Sequence, residues 1–466
     1  MSDSVPTAEE DVKLALRVKR FVLLGVILVP IVAFILWRLA LSSGNDKLLK
    51  AIRDAGEPAN AVELDAYYKQ VPAEKNAASY WIQGADEMIP PEGANLDAPW
   101  YRFKLPPRGQ SFTNDLLAEA RESLVSNQAA LAAFRRAAEM TDSRYPIDLS
   151  QATLTLLPHL TRVKQVANLL RMESAIQAHD GNSRESVRAI LNMLAAGQSL
   201  ENEPVLISQL VRYAVDSMAF QCAEFLLNRA HPNDQELLTL TKAFEAVDDP
   251  RSLSLALIGE RAFFVSVLDN PRLLALTSAN GATPTPSENF TASAVSFTGF
   301  YQRERGFYLP EMATNIALAR LPDPQRFLSH TNWDAGEARA KAGFYFLSGL
   351  TLSSVGRSVH RDAEHRAQAR VALAAFSVER YRLKHNDYPK DLASLVPEFL
   401  PAVPIDPFDG KPLRFQLRAH GYIVYSIGTD AKDDGGAERP ERRGTAKVPE
   451  DITFIVDRPA RLDLTK

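Results

Sequence analysis

At 466 residues the chain is long enough for two or three domains, and 46% hydrophobic with 24% charged residues lets most of it bury a core. Its 53 lysines and arginines against 57 aspartates and glutamates give a net charge of −4, which excludes the basic excess that general nucleic-acid binding needs. A single cysteine, Cys222, excludes an intrachain disulfide and a cysteine-rich zinc site.

Residues 21–37, FVLLGVILVPIVAFILW, carry no charge, and Leu39, Ala40 and Leu41 extend the run past Arg38, whose long side chain can snorkel. A helix from Phe21 to Leu41 is about 31 Å long, enough to cross the hydrocarbon core of a membrane, and Pro30 is tolerated there. A cleaved signal peptide competes with this reading, since Ser42-Ser43-Gly44 supplies small residues, but the apolar run is long for a signal. The expectation is an uncleaved anchor over 21–41. Lys13, Arg17, Lys19 and Arg20 precede it, and Arg38, Lys47, Lys50 and Arg53 follow. The short tail and the basic cluster abutting the span favour residues 1–20 as a cytoplasmic tail, with the chain from 43 onward outside.

From 43 to 355 the pattern is that of an extracytoplasmic α-helical domain, an array of antiparallel hairpins. The front, Gly56 to Leu105, places Tyr67, Tyr68, Tyr80, Trp81, Trp100 and Tyr101 among prolines, which suits an irregular segment stapled onto helices. Val163, Val166, Leu169, Leu170, Met172 and Ile176 form one helical stripe; Val187, Ile190, Leu191, Leu194 and Ala195 form the next. Between them Gly181 suits a helix end and Ser183 a cap. Leu206, Ile207, Leu210, Val211, Ala214 and Met218 begin a third helix, whose apolar continuation makes Cys222 a core residue. Residues 277–300, rich in Thr, Ser, Ala and Pro, read as a flexible loop.

No His-Glu-x-x-His pair, phosphate loop, Gly-x-Ser-x-Gly elbow or Gly-x-Gly-x-x-Gly fingerprint occurs. His360 and His365 fall on different sides of a helix. Arg357, Arg361, Arg366 and Arg370 scatter around the same helix with acids interspersed, the pattern of a solvated helix. Sequence marks no catalytic residue, although a site assembled from distant residues stays open.

After Pro389 the period changes. Leu392 to Leu400 reads as a short helix. Leu413-Arg-Phe-Gln-Leu417 and Tyr422-Ile-Val-Tyr-Ser-Ile427 read as a β-hairpin, and Ile452-Thr-Phe-Ile-Val456 as a third strand. Asp387-Tyr388-Pro389, Asp406-Pro407-Phe408 and Ser426-Ile427-Gly428-Thr429-Asp430 follow in order. This succession resembles the globular domain of type II secretion major pseudopilins, which places a long helix before a Tyr-Pro break, an Asp-Pro-aromatic turn and a Ser-x-Gly-x-Asp loop. The resemblance implies a small α+β module with an antiparallel sheet over 356–466. It also implies calcium as the bound ion, with Asp430 at the first acidic position and Asp451 at the later one. Asp430, Asp433 and Asp434 beside Gly435 and Gly436 supply hard oxygens on a turning backbone, so Asp430, Asp433, Asp434 and Asp451 are the candidate metal ligands. An EF-hand spacing fails where Lys432 stands. Pseudopilins begin at a Gly-aromatic processing site, whereas Arg20 precedes Phe21 here, so peptidase processing is not expected. A fragment from about Gly356 onward is long enough for a core of its own.

The sequence therefore predicts a mainly α protein: a transmembrane helix, a large helical array, and a small C-terminal module. Its leading functional reading is a non-enzymatic, membrane-anchored scaffold with a protein partner in the envelope, linked to secretion or envelope assembly. The alternative is an anchored enzyme or a carbohydrate- or peptide-binding protein using a groove in the helical domain.

Overall fold

The structure, a computed structural model, describes residues 8–90, 103–270, 293–438 and 450–458. Its first helix, α1 (Ala8–Asp54), runs without a break through Pro30 and on past the end of the apolar run. Short helices α2 (Ala61–Tyr67) and α3 (Ala78–Asp86) follow, then α4 (Asn114–Ser126) and α5 (Gln128–Ala138). The predicted stripes form α6 (Pro158–His179), α7 (Ser183–Gln198) and α8 (Leu206–Arg229). Next come α9 (Asp234–Val247), α10 (Ser252–Asp269) and α11 (Phe300–Ala319). The helical part ends with α12 (Gln325–Leu328), α13 (His330–Ala342) and α14 (Phe346–His385), a helix of 40 residues.

Local chemistry explains the punctuation. Gly181 adopts φ +80 between α6 and α7, a left-handed value that a side chain would strain. The α7 cap position falls to Asn182, while the Ser183 hydroxyl instead donates to Glu236 at 2.9 Å. Asn233 and Glu236 close a capping box at the start of α9. In the front segment Trp81 stacks on Phe134 with centroids 5.8 Å apart, and Arg144 lies 4.1 Å above the buried Tyr68 ring. The staple reading holds for these residues; Trp100 and Tyr101 lie outside the described residues. Of the predicted loop, 277–292 also lies outside them, and 293–297 is helical.

The main core gathers α3, α5, α6, α7, α8 and α9, the second half of α14, and strands β2 (Gly421–Ser426) and β3 (Ile452–Asp457). A second core joins α10, α11 and α13 to the first half of α14, through Leu352, Val355 and Val359. Thus α14 is the spine shared by both clusters. The boundary expected at 356 falls inside it. Cys222 lies fully buried in the main core, where burial pushes its thiol up to about 12.

The sheet is three-stranded and antiparallel, in the order β1 (Arg414–Arg418), β2, β3, with Tyr422 opposite Val456 and Val424 opposite Phe454. The expected short helix at Leu392 is one 3-10 turn, Leu392–Leu395. The outer edge of β3 is met by α8 side chains. Ile455 N–H donates to Glu224 at 3.1 Å, and Asn228 bonds the Ile455 carbonyl and the Asp457 N–H, each at 2.8 Å. An amide side chain here does the work of a fourth strand, covering backbone groups that would otherwise stay unpaired.

Candidate functional site

Among the described residues, polar chemistry concentrates in the acidic loop after β2, in a buried seam between α8 and α14 that reaches a surface cleft, and in a smaller cluster around His159.

In the loop, Gly428 holds φ +70 so close to β3 that a Cβ would lie 1.8 Å from the Glu450 carbonyl oxygen. Asp406 ties the preceding turn to β2. Fully buried, it accepts from the Phe408 and Ile427 N–H groups at 3.0 and 2.9 Å, from the Ser426 hydroxyl at 2.9 Å and from Arg414 at 2.5 Å. Burial still raises its carboxyl above the usual range, against those bonds. Asp451 ties down the acidic loop in a similar way. Only 2% exposed, it accepts from Gly436 N–H at 2.7 Å and Asp434 N–H at 3.4 Å. Burial raises its pKa, and the neighbouring Asp434 and Asp433 charges raise it further.

Of the other candidate ligands, Asp433 and Asp434 are exposed and Asp430 is half-buried. Asp430 accepts from the Lys432 N–H at 3.1 Å, and Asp433 accepts from the Tyr425 hydroxyl at 3.1 Å and the Gly435 N–H at 2.9 Å. Asp433 is also 3.8 Å from Arg414. Among the described residues no three His, Cys, Asp or Glu side chains are disposed to hold a metal ion. The four aspartates share one loop but do not converge on one point as arranged.

The seam is what sequence reasoning missed. Tyr213 and Asp216 of α8 face Asp362 and His365 of α14, residues 149 apart in the chain. His365 Nε2 lies 2.8 Å from Asp216, and the Tyr213 ring stacks on the imidazole at 4.3 Å. The Tyr213 hydroxyl donates to Asp362 at 3.0 Å, and Asp362 also accepts from Arg326 at 3.0 Å. Gly197 leaves room, since a Cβ there would stand 2.6 Å from Asp216. One turn further, Arg366 and Arg370 each bond Asp248, at 2.6 and 2.8 Å, and each bond Asp323. Of the four arginines expected on a solvated helix, Arg357 and Arg361 are exposed, but Arg366 and Arg370 are buried. The correction has a simple cause: the partners sit on other elements, where helical spacing cannot reveal them.

The same device recurs in the first half of the body. His159 is bonded to Glu203 at 3.0 Å and stacked under Tyr145 at 4.3 Å. Ser208 donates to Glu203 as well, so that serine is bonded to the carboxylate rather than to the imidazole. A general base must reach the proton it abstracts, and both imidazoles are at least 96% buried beneath a tyrosine. Both clusters therefore act as internal clasps in this arrangement, fixing α6 to the Glu203 turn and α8 to α14.

Beside the second clasp a polar cleft of about 510 Å³ opens, lined among others by Glu201, Asp249, Arg251, Ser252, Arg320 and Arg326. Arg251 bonds Glu201 at 2.6 Å and Asp249 at 3.0 Å, and Arg320 bonds Glu57. Arg326 joins this cleft to the buried Asp362.

At the far end of the molecule the exit of α1 is fixed. Arg38 donates to Gln302 at 2.6 Å, Asn45 donates to the Gln302 carbonyl at 2.9 Å, and Leu49 packs with Val265 and Leu309. None of the apolar stretch of α1 is buried against the protein. The helix is long and apolar enough to span a membrane. In comparisons with known proteins, no family model, no curated protein and no solved structure matches the chain.

Proposed function

We propose that the protein is a membrane-anchored scaffold: α1 crosses the membrane, and the body stands outside the cytoplasm as a rigid platform for a protein partner in the envelope. The observation that carries this reading is the continuity of α1. An apolar stretch of which no residue is buried passes, in one helix, into a segment bonded and packed to α11. A flexible tether would let the body tumble, whereas this junction orients it. The pseudopilin-like order of motifs after residue 386 supports a link to secretion or envelope assembly, with a calcium ion in the loop of Asp430, Asp433 and Asp434. Such an ion would require those side chains to leave their present bonds and close together.

The test is topological. A reporter active only outside the cytoplasm, fused after Lys466, is expected to be active. Removing residues 1–42 is expected to release a folded protein from membranes, because Asn45 and Leu49 keep their partners. Activity of a cytoplasm-only reporter at that position rejects the orientation, and pelleting of the truncated chain that survives an alkaline carbonate wash rejects α1 as the single spanning anchor.

The second reading, an anchored enzyme or carbohydrate- or peptide-binding protein, is favoured by the polar cleft at Arg326. Its mixed charges suit a polar ligand. Purification of the intact protein from detergent-solubilised membranes separates the two: a stoichiometric protein partner supports the scaffold, and a small ligand that Arg251→Ala abolishes supports the cleft.

A further inference from the structure

The foot of the body carries an apolar surface. Phe297, Phe344, Phe346 and Leu350 are 74, 69, 66 and 74% exposed. They come from two separate segments, and their heights follow from bonds to α1.

The Phe297 ring lies 5.8 Å from that of Phe34. Phe34 is seven residues short of Leu41, so it sits about 10 Å inside the end of the apolar run at 1.5 Å per residue. Gly299, at φ +85, then passes so close to α1 that a Cβ would meet Arg38 at 2.8 Å. From there α11 climbs parallel to α1, with Gln302 on Arg38 and Asn45, Gly306 beside Asn45, and Leu309 beside Leu49.

The second segment is clamped to the lowest turns of α11. Arg303 stacks on the Tyr345 ring at 4.1 Å and donates to the Gly343 carbonyl at 2.6 Å. Phe307 also stacks on Tyr345, at 4.1 Å, and Ser348 N–H donates to the buried Glu304 at 2.9 Å. Phe344 and Phe346, with rings 6.4 Å apart, are therefore held level with residues 41–46 of α1, within about 8 Å of the end of the run. Leu350 follows Phe346 on the same face of α14.

We propose that this foot is seated in the bilayer: Phe297 lies in the hydrocarbon beside α1, and Phe344, Phe346 and Leu350 enter the boundary between headgroups and acyl chains. The proposal rests on α1 spanning the membrane. The occupant follows from continuity: if Phe34 is in hydrocarbon, Phe297 against it is too, and the rigid clamp brings the other three to the interface. There aromatic rings are favoured. A mainly apolar hollow of about 860 Å³, lined also by Arg38, Ser42 and Gln302, lies between Phe297 and the face of Ile31, Phe34, Ile35 and Leu39. Two attachments separated across the foot fix the tilt of the body, which a single helix does not.

The experiment uses the whole chain in phosphatidylcholine–phosphatidylglycerol vesicles. A Cys222→Ser background carries Phe346→Cys or, separately, Leu350→Cys, each labelled with an environment-sensitive fluorophore. Leu417→Cys on β1 is the control. It is exposed on a sheet that packs near Ala375, roughly 40 Å along α14 from Phe346. Blue-shifted emission at 346 and 350, quenched by lipids brominated on the acyl chains, with no quenching at 417, is the result expected. Vesicle flotation with water-like, unquenched emission at both positions overturns the seated foot and leaves the anchor standing. Blue-shifted emission that brominated lipids do not quench shows protein cover, by a second copy or a partner, and also overturns it. Failure to float removes the anchor and this inference together.

Discussion

Glu224 stands on α8 beneath β3, held by Arg108 at 2.8 Å and by the Ile455 N–H. Burial pushes its carboxyl up to about 6, and Arg108 offsets only some of that. The folded value lies above the ordinary 4.5, so the contribution to stability is full below about 4.5 and is lost as pH rises through about 6. Glu224→Gln is expected to flatten that portion of the profile of denaturation midpoint against pH, while keeping an acceptor for Ile455. An unchanged slope between pH 5 and 7 counts against the assignment. The loop aspartates allow a second test at this scale. Asp433 and Asp434 already raise the pKa of Asp451, and a cation would relieve that repulsion. Calcium at 100 times its dissociation constant is expected to stabilise the chain by about 2.7 kcal/mol, an effect lost in Asp430→Ala. Superimposed melting curves with calcium and with chelator remove the ion from the proposal.

At the scale of elements, α14 shows how one helix serves two cores. Its apolar residues fill both clusters, and its charged ones are matched by carboxylates on neighbouring segments. Removing one member of a buried charge group strands its partner, which costs about 3–5 kcal/mol, whereas an exposed pair contributes about 0–1 kcal/mol. Asp323→Ala leaves Arg366 and Arg370 with Asp248 as their one bonded carboxylate, beside the Ile405 carbonyl that Arg370 also meets, and is expected to lower stability by about 3 kcal/mol or more in urea unfolding. Arg361→Ala, which breaks only the surface pair with Glu364, is expected to change it by less than about 1 kcal/mol. Equal losses in the two variants contradict the buried network. The sheet has a comparable dependence on its neighbour, since β3 is bonded by β2 on one side and by α8 on the other.

For the whole molecule, α14 runs unbroken through residue 356 and packs on the body along both halves, so the 356–466 segment, long enough for a core of its own, shares its core with the helices before it. Phe376 packs edge-on against Phe244 of α9 and Phe454 of β3, so helix, body and sheet meet in one cluster. Excising the fragment would expose the faces that α8 and α9 cover and would free the edge of β3. The isolated fragment is expected to lack a cooperative melting transition, and its edge strand to promote association. A sharp reversible transition in a monomeric fragment contradicts the shared core. The junction of α1 with α11 works at the same scale, coupling the attitude of the body to the helix that leaves it.

The sequence by itself determined the elements. The uncharged run became the exposed apolar stretch of α1, and the 3.6-residue stripes became α6, α7 and α8. Alternation around a glycine turn became the β1–β2 hairpin, and the apolar neighbours of Cys222 placed it in the core. Each of these depends on side chains close in the chain, so periodicity carries the information. Tertiary structure alone decided the pairing of distant groups. Nothing in the spacing of His365 points to Asp216, or of Arg370 to Asp323, because those partners lie on other elements. The same holds for Asp451, whose carboxylate is turned inward onto backbone N–H groups, and for the extent of α14, which runs through the expected boundary because both cores need its two halves. A buried charge is stable only where a counter-charge meets it, and only the packed chain brings the two together.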